Sequence, residues 1–149
     1  DTWLQHTYLG YNYRLVNLLA AVGAAQMELL PSFIKRKKEA VAFYKNAFEG
    51  LADIRYQKEL PEVQTNGWLF TIQTDHQKKV LDHLNANKIL SRRFWMPMNK
   101  LPMYKDCPCI QKKNNADYIY NTCLSIPCST NITDEQLEIV AKEVKAALI

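Results

Sequence analysis

The first third of the chain shows a helical pattern of apolar and polar positions. Apolar residues lie on all sides of residues 15–29, which predicts a buried helix. Pro31 suits the first turn of a second helix, and Gly50 suits its end. In that second helix, apolar residues recur every three to four positions opposite a basic, solvated side. The apolar positions are Phe33, Ile34, Val41, Tyr44 and Phe48, and the basic ones are Lys35, Arg36, Lys37 and Lys38.

The middle of the chain alternates short strands with one helix. Residues 52–56, 68–72 and 89–95 are candidate strands, and the second is rich in aromatic and β-branched residues. Residues 76–87 predict an amphipathic helix. Residues 96–113 contain three prolines and little periodicity, which indicates a long loop with one helical turn near Met103 and Tyr104.

The last part of the chain predicts a short helix over residues 115–122, a strand over 124–126 and a final helix. Thr133 is the expected N-cap of that helix, and Gln136 completes a capping box. Its apolar stripe consists of Leu137, Val140, Val144 and Leu148. Together these elements predict an α+β fold, in which a small mixed or antiparallel sheet is covered by helices.

Composition narrows the function classes. The chain has 149 residues, 48% of them hydrophobic, which is enough for one domain with a sizeable core. Its net charge of +4 suits an anionic substrate but is too small and dispersed for nucleic acid. The longest apolar stretch is interrupted by Asn17, Gln26 and Glu28, so no membrane helix is expected. The start of the chain lacks a secretory signal, which favours a location in the cytoplasm. The first residue is Asp1 and not Met, which is expected of a piece of a longer protein or of a trimmed protein.

The four cysteines are Cys107, Cys109, Cys123 and Cys128. A zinc site needs four soft ligands at workable spacing, whereas the Cys-Pro-Cys at 107–109 is not a C-x-x-C and no His lies near it. Reduced thiols in a cytosolic protein are therefore favoured. A zinc site formed by all four cysteines in space is the less favoured alternative.

Three segments carry residues suited to binding an anion or a sugar. In the first, Asn12 and Arg14 offer donors to a phosphate, and Gly10 lets the backbone approach closely. In the second, residues 92–99, cationic groups lie beside aromatic surface, as nucleotide-sugar binding requires. The third segment, residues 125–129, is a tight turn in which the chain leaves a strand and enters a loop.

Each segment also has an ordinary structural explanation, and the spacing of the residues by itself favours that explanation over ligand binding. Tyrosine and arginine in an arm can dock on the domain surface, an arginine pair at a strand end is usually solvated or ion-paired, and Trp95 can belong to the core. His76 and His83 are expected to be solvated on a polar helix face. The sequence contains neither a glycine-rich phosphate loop nor a serine or threonine with a nearby His–Asp pair.

Taken in order over nearly the whole chain, these segments resemble the C-terminal portion of the DegT/DnrJ/EryC1/StrS sugar aminotransferases. The run over residues 29–33 is most similar to the branch that makes bacterial surface amino sugars such as legionaminic acid. The matching motifs are His6…Leu9-Gly10-Tyr11-Asn12-Tyr13-Arg14-Leu15…Asn17, Ala20-Ala21…Gln26, Arg36…Tyr44, Trp68-Leu69-Phe70-Thr71-Ile72, Arg92…Phe94-Trp95-Met96-Pro97-Met98, Pro102-Met103-Tyr104, Ala116-Asp117, Leu124-Ser125-Ile126-Pro127-Cys128-Ser129 and Ile132-Thr133-Asp134-Glu135.

The resemblance implies a fold-type I enzyme that uses pyridoxal 5′-phosphate (PLP), typically as a homodimer with the cofactor at the subunit interface. Such enzymes move an amino group from glutamate onto a keto sugar carried on a nucleotide. The lysine that bonds to the cofactor and the aspartate that pairs with its pyridine nitrogen belong to an upstream large domain. No lysine here is therefore assigned as catalytic. Residues 1–14 would be an arm continuing from that domain and 15–149 the small domain, inactive by itself.

The resemblance also assigns binding residues. Asn12 matches the asparagine that reaches the PLP phosphate of the neighbouring subunit, and Arg14 is expected to help hold the cofactor. The expected substrate-binding residues are Tyr13, Arg92, Trp95 and Asn99.

Two positions depart from the family pattern. Arg93 stands where proline is frequent, and Asn99 stands where histidine is frequent. These departures leave the identity of the sugar open.

Two other functions remain compatible with the residues. The chain could be a stand-alone α+β module that binds a nucleotide sugar or another anion. It could also be a helix-rich interaction domain, because residues 15–29 are apolar enough to need a partner surface. A nucleic-acid binder is disfavoured, because its lysines would be clustered.

Overall fold

The computed structural model describes residues 8–12, 14–110 and 112–148. The helices within them are Asn17–Ala47 (α1), Gln77–Ala86 (α2), Asn115–Thr122 (α3) and Asp134–Leu148 (α4). The strands are Phe70–Gln73 (β1), Arg92–Arg93 (β2) and Cys123–Ile126 (β3). Two 3-10 turns, Met98–Lys100 and Pro102–Tyr104, lie in the loop after β2, where one helical turn was expected.

The three strands form an antiparallel sheet in the order β1-β3-β2, which confirms the predicted α+β fold with a small sheet. Side chains alternate along β1 and β3 between buried apolar and half-buried polar residues. The apolar face packs against α1, α2 and α4 in one core. The other face carries polar side chains, including Thr71 and Ser125, whose hydroxyl oxygens lie 2.9 Å apart.

The two helices predicted on either side of residue 30 form a single helix, α1. α1 runs through Pro31 without a break, so the prediction that Pro31 starts a second helix is wrong. Pro31 has no N–H for the carbonyl one turn earlier, but this part of α1 is exposed, so water can bond to that carbonyl. The Ser32 hydroxyl also donates to the Leu29 carbonyl at 2.7 Å.

The N-terminal half of α1 is exposed, and the prediction of a buried helix over residues 15–29 is wrong for this chain. Leu18 is 75% exposed and Met27 is 64% exposed, whereas Ala40, Val41 and Tyr44 are in the core. By length and composition α1 could cross a membrane, contrary to the expectation from the sequence. One such helix is weak support for a membrane span, because helices that pack against protein pass the same test.

The C-terminal half of α1 and all of α4 join the core as their periodicity predicts. The Tyr44 ring stacks on Phe48 and Phe70, with centroids 5.8 and 5.1 Å apart. The capping box of α4 is confirmed, because the Thr133 N–H donates to Gln136 Oε1 at 3.0 Å and the Gln136 N–H donates to Thr133 Oγ1 at 3.2 Å.

Three of the four predicted strands are shorter than predicted, whereas β3 is one residue longer, because it begins at Cys123. Residues 52–56 contribute only an isolated bridge between Arg55 and Gln73. The strand expected over residues 89–95 is reduced to β2, and the one expected from residue 68 begins at Phe70. The reason for the late start is that the Asn66 side chain accepts the Trp68 N–H in a turn, so this donor is unavailable to the sheet.

Candidate functional site

The described part of the arm presents two donors suited to an anion. The Arg14 N–H donates to Asn12 Oδ1 at 2.9 Å, and Arg14 has a φ of +79°. Because Oδ1 accepts that bond, the Asn12 Nδ2 is left as a donor. Both residues are exposed, and the Arg14 guanidinium makes no ion pair within the described residues. Tyr13 lies outside the described residues.

Arg92 opens β2 at the edge of the sheet. It pairs with Ser125 of the central strand, and Ser125 pairs in turn with Thr71 on the far strand. Arg92 is exposed and makes no ion pair with any described residue. Its guanidinium is therefore available to an anionic ligand beside the polar face of the sheet.

Trp95 belongs to an exposed aromatic cluster. Its ring stacks on Trp68, with centroids 5.9 Å apart and 24° between the planes, and Phe94 meets its edge at 4.9 Å. Trp95 is 42% exposed and Trp68 is 64% exposed, so the alternative that Trp95 is a core residue is wrong. Sequence reasoning missed Trp68, although the Asn66-Gly67 pair before it is a turn signal that places it at a loop edge. Trp68 and Trp95 are called the indole pair below.

Asn99 lies apart from the indole pair. It is half-buried in the first 3-10 turn and lines a cavity of about 390 Å³ with Met98, Tyr104 and Cys107. An ion pair between Lys100 and Asp117 ties this turn to α3.

Arg93, at the position where the family often has proline, lies over the Tyr120 ring at 5.3 Å. No hydrogen bond or ion pair joins Asn12 or Arg14 to Arg92, Trp95 or Asn99 within the described residues. Arg92 and Trp95 are thus three residues apart at one edge of the sheet, and no hydrogen bond or ion pair joins the arm or Asn99 to them in the part of the chain that the structure describes.

Lys37 holds the loop that carries Trp68. Its Nζ donates to the carbonyls of Trp68 at 2.8 Å, Cys128 at 2.6 Å and Gly67 at 3.3 Å. The prediction that Lys37 is solvated is therefore wrong. Its spacing of four residues from both Phe33 and Val41 places it on the apolar stripe of α1, and this signal could have identified it.

Arg36 has a similar structural role and is likewise not merely solvated. Its guanidinium donates to the Ile132 carbonyl at 2.6 and 2.9 Å and to Asp134 at 2.8 Å. The hydrogen bond to Asp134 raises the pKa of the Arg36 guanidinium. Arg36 therefore fixes the loop before α4 to α1.

Gly67 allows the same loop to approach α1 closely. It has a φ of +64°, and a Cβ on it would lie 3.2 Å from the Lys37 carbonyl oxygen and 3.2 Å from a Val41 methyl. The Thr65 hydroxyl accepts the Gly67 N–H at 3.2 Å, and Asn66 accepts the Trp68 N–H at 3.0 Å. The backbone under the Trp68 side chain is therefore fixed.

The remaining candidate groups do not assemble at this site. Burial raises the pKa of the Cys123 and Cys128 thiols, whereas Cys107 and Cys109 lie on an exposed loop. No group of three or more His, Cys, Asp or Glu suited to a metal is found in the described residues. His83 was expected to be solvated, but its Nε2 lies 2.7 Å from a carboxylate oxygen of α4.

Comparison with known proteins places this arrangement in context. The family model described as the DegT/DnrJ/EryC1/StrS aminotransferase family matches residues 1–145. The chain is 29% identical over 142 residues to GDP-perosamine synthase of Escherichia coli O157:H7, a match that covers 93% of this chain and 38% of that protein. It is 23% identical over 142 residues to the UDP-4-amino-4,6-dideoxy-N-acetyl-beta-L-altrosamine transaminase of Helicobacter pylori, covering 91% and 38%.

Solved structures agree on the fold. The crystal structure of DesV from S. venezuelae superposes with a TM-score of 0.83 at 25% identity, covering 97% of this chain and 40% of that one. The chain spans about two-fifths of the length of these relatives. The match over residues 1–145 includes both the arm and the sheet that carry the predicted binding residues. The chain therefore belongs to the DegT/DnrJ/EryC1/StrS aminotransferase family.

Proposed function

We propose that this chain is the C-terminal small domain of a PLP-dependent aminotransferase that moves an amino group from glutamate to a nucleotide-linked keto sugar. The family match over residues 1–145 carries the proposal. By their names, the relatives include a GDP-perosamine synthase and a transaminase of a UDP-linked amino sugar. Within the proposal, residues 1–14 are an arm that continues from a large domain, and residues 15–149 are the small domain.

The arm fits the phosphate of PLP. The Asn12 Nδ2 is an available donor, and the Arg14 guanidinium adds a positive charge two residues later. A phosphate dianion is bound well by such a pair of neutral and charged donors. When bound, PLP supplies the electron sink that amino transfer requires. The part of Asn12 and Arg14 is to bind and orient its phosphate, across the interface of a homodimer.

The sheet edge fits the substrate. Arg92 provides an exposed charge for a diphosphate, and the indole pair, whose Trp95 follows Arg92 by three residues, provides an exposed aromatic surface. Asn99 lines a separate cavity, where its side-chain amide can donate to or accept from a sugar hydroxyl. Histidine is frequent at this position in the family, and an amide cannot take up a proton as histidine can, so Asn99 would position the sugar only.

The exposed half of α1 supports a place in a larger soluble enzyme of the cytoplasm. Its apolar surface is interrupted by Gln26 and Glu28, which suits contact with protein better than with lipid. The large domain of the same polypeptide would cover this surface.

Absorbance spectroscopy tests the proposal. The chain is joined to the large domain that precedes this portion in the E. coli relative, and both forms are titrated with PLP. We expect the joined protein alone to develop the absorbance of lysine-bound cofactor and to transfer an amino group from glutamate. The second candidate function is a stand-alone module that binds a nucleotide sugar. Such a module would bind the nucleotide sugar as the 149-residue chain, and the joined protein would not bind PLP.

Asn12→Ala tests the phosphate contact in the joined protein. Loss of one hydrogen bond to a charged group should weaken PLP binding by about tenfold or more. Asn131→Ala, at another exposed asparagine, is the matched control and should leave PLP binding unchanged. Equal PLP affinity in both variants would contradict the role of Asn12.

A further inference from the structure

We propose that Trp68 and Trp95 form a stacking surface for the nucleobase of the nucleotide sugar, with Arg92 bound to its diphosphate. The inference rests on the proposed function and assigns Trp68, which lies outside the segments predicted to bind substrate. Trp68 would be a further binding residue for the nucleotide part of the substrate.

The indole pair has the geometry of an open aromatic surface. The two rings are offset-stacked, and they remain 64% and 42% exposed, for Trp68 and Trp95 respectively. Leu69, the residue next to Trp68 in the chain, is also exposed at 40%. Large exposed apolar groups in one region commonly mark a binding surface. Here the surface is flat and aromatic, so it suits a planar ligand.

The surface is also pre-organised. The Trp68 carbonyl is held by Lys37, and its N–H is held by Asn66. Gly67 brings this backbone into contact with α1, where little movement is available. A side chain whose backbone is already ordered loses less entropy when a ligand binds. Trp68 is thus exposed on a fixed support, unlike a tryptophan on a loose loop.

Arg92 completes the site with charge. Arg92 and Thr71 are both paired with Ser125, so the Arg92 backbone lies level with Thr71, three residues after Trp68. Trp95 is three residues from Arg92 and stacks on Trp68. Three residues of extended chain span at most about 10 Å, so the Arg92 backbone lies within roughly that distance of the Trp95 backbone, a separation that a nucleoside diphosphate can bridge.

A nucleobase fits this surface better than a sugar ring. The hydroxyl groups of a sugar need hydrogen-bond partners around the aromatic face, whereas the sequence neighbours of the indole pair are Gly67, Leu69, Phe94 and Met96, none of which has a hydroxyl, amide or charged side chain. Stacking on a base needs no such partners, because every base has a π-face. Stacking alone should consequently bind different bases with similar affinity.

The test uses the 149-residue chain and the indole N–H signals of its tryptophans in NMR spectra, assigned by single replacements with phenylalanine. The probes are GDP, UDP, inorganic pyrophosphate and N-acetylglucosamine. We expect GDP and UDP to shift the Trp68 and Trp95 signals saturably. Pyrophosphate should bind more weakly without the same indole shifts, and the free sugar should shift neither signal.

Variants isolate the contribution of Trp68. Trp68→Ala should weaken GDP and UDP binding by roughly 5- to 150-fold, as expected for the loss of one base–aromatic stack, and leave pyrophosphate binding unchanged. Trp68→Phe should restore most of the affinity, because it keeps an aromatic face. Tyr118→Ala removes another exposed aromatic residue, half exposed on α3, and should have no effect.

Several results would overturn the inference. They are indole signals that do not respond to millimolar GDP or UDP, a response to the sugar but not to the nucleotides, or equal nucleotide affinity in Trp68→Ala and the parent chain. A change in self-association on Trp68→Ala, with no change in nucleotide binding, would also overturn it and identify the indole pair as a contact between copies. None of these results affects the PLP absorbance of the joined protein. The proposed function is therefore tested separately from this inference.

Discussion

Replacing Lys37 by methionine tests how the loop under Trp68 is held. Methionine keeps an apolar stem of similar length but cannot donate hydrogen bonds. The three carbonyls that Lys37 now satisfies, those of Gly67, Trp68 and Cys128, would lose their charged donor. The question is how many of these bonds contribute to stability.

The hydrogen bonds of Lys37 indicate how much the free energy of unfolding should change. The bond to the Gly67 carbonyl, at 3.3 Å, is long and contributes little. The Trp68 carbonyl is at an exposed position and can exchange its bond for water, whereas the bond to the Cys128 carbonyl is short and partly buried. A hydrogen bond to a charged group contributes about 1.5–3 kcal/mol. We therefore expect Lys37→Met to lower the free energy of unfolding by about 2–3 kcal/mol.

Urea denaturation followed by circular dichroism measures this change. A loss of this size should also lower the Tm by roughly 5–10 °C. Lys38→Met is the matched control, because Lys38 is exposed on the same helix and makes no hydrogen bond within the described residues. It should change the free energy of unfolding by less than about 0.5 kcal/mol. Equal stabilities of the two variants would refute the role of Lys37.

Three further changes test other parts of the fold. Burial raises the pKa of Tyr44, so above pH about 10 its hydroxyl ionises in the unfolded chain first, and the free energy of unfolding falls as pH rises. Tyr44→Phe should lower the free energy of unfolding by about 1 kcal/mol at neutral pH but make it depend less on pH above about 10, and an unchanged slope in pH-dependent denaturation would contradict this. Thr133→Ala breaks the capping box with Gln136 and should cost about 1 kcal/mol by urea denaturation, so a neutral result would count against that cap. Gly67→Ala should destabilise more than Gly50→Ala in thermal unfolding, because both have positive φ but only Gly67 lies against α1, and the reverse order would show that packing there is loose.

Local signals predicted the helices of the second half well. The helix over Asn115–Thr122 has the predicted bounds, and the capping box before α4 is made in full by Thr133 and Gln136. In both cases the information lies within a few neighbouring residues. The same holds for α2, which ends within one residue of the prediction at each side.

Long-range contacts explain most of the errors. The spacing of Lys37 shows that it lies on the apolar stripe of α1, but the carbonyls that it binds belong to the Trp68 and Cys128 loops, which are distant in sequence. Pro31 looks like a helix start, and the exposure of α1 is what allows the helix to continue through it.

The candidate site was predicted unevenly for the same reason. The cationic and aromatic character of Arg92 and Trp95 is visible in the sequence, and their exposure agrees with a binding role. Trp68 is 27 residues before Trp95, so its stacking on that ring depends on how β1 and β2 pair with the central strand. All the assigned binding roles remain predictions, as does the legionaminic-type branch; they are those of Asn12, Tyr13, Arg14, Arg92, Trp95 and Asn99.

The absorbance spectrum with PLP tests the central claim most directly. We predict that the 149-residue chain alone shows only the spectrum of free PLP, and that the chain joined to an upstream large domain of the family shows that of lysine-bound cofactor. Addition of glutamate to the joined protein should then remove this absorbance, because the amino group moves to the cofactor. A chain that binds PLP through its own lysines, or a correctly folded joined protein that does not bind PLP, would contradict the account.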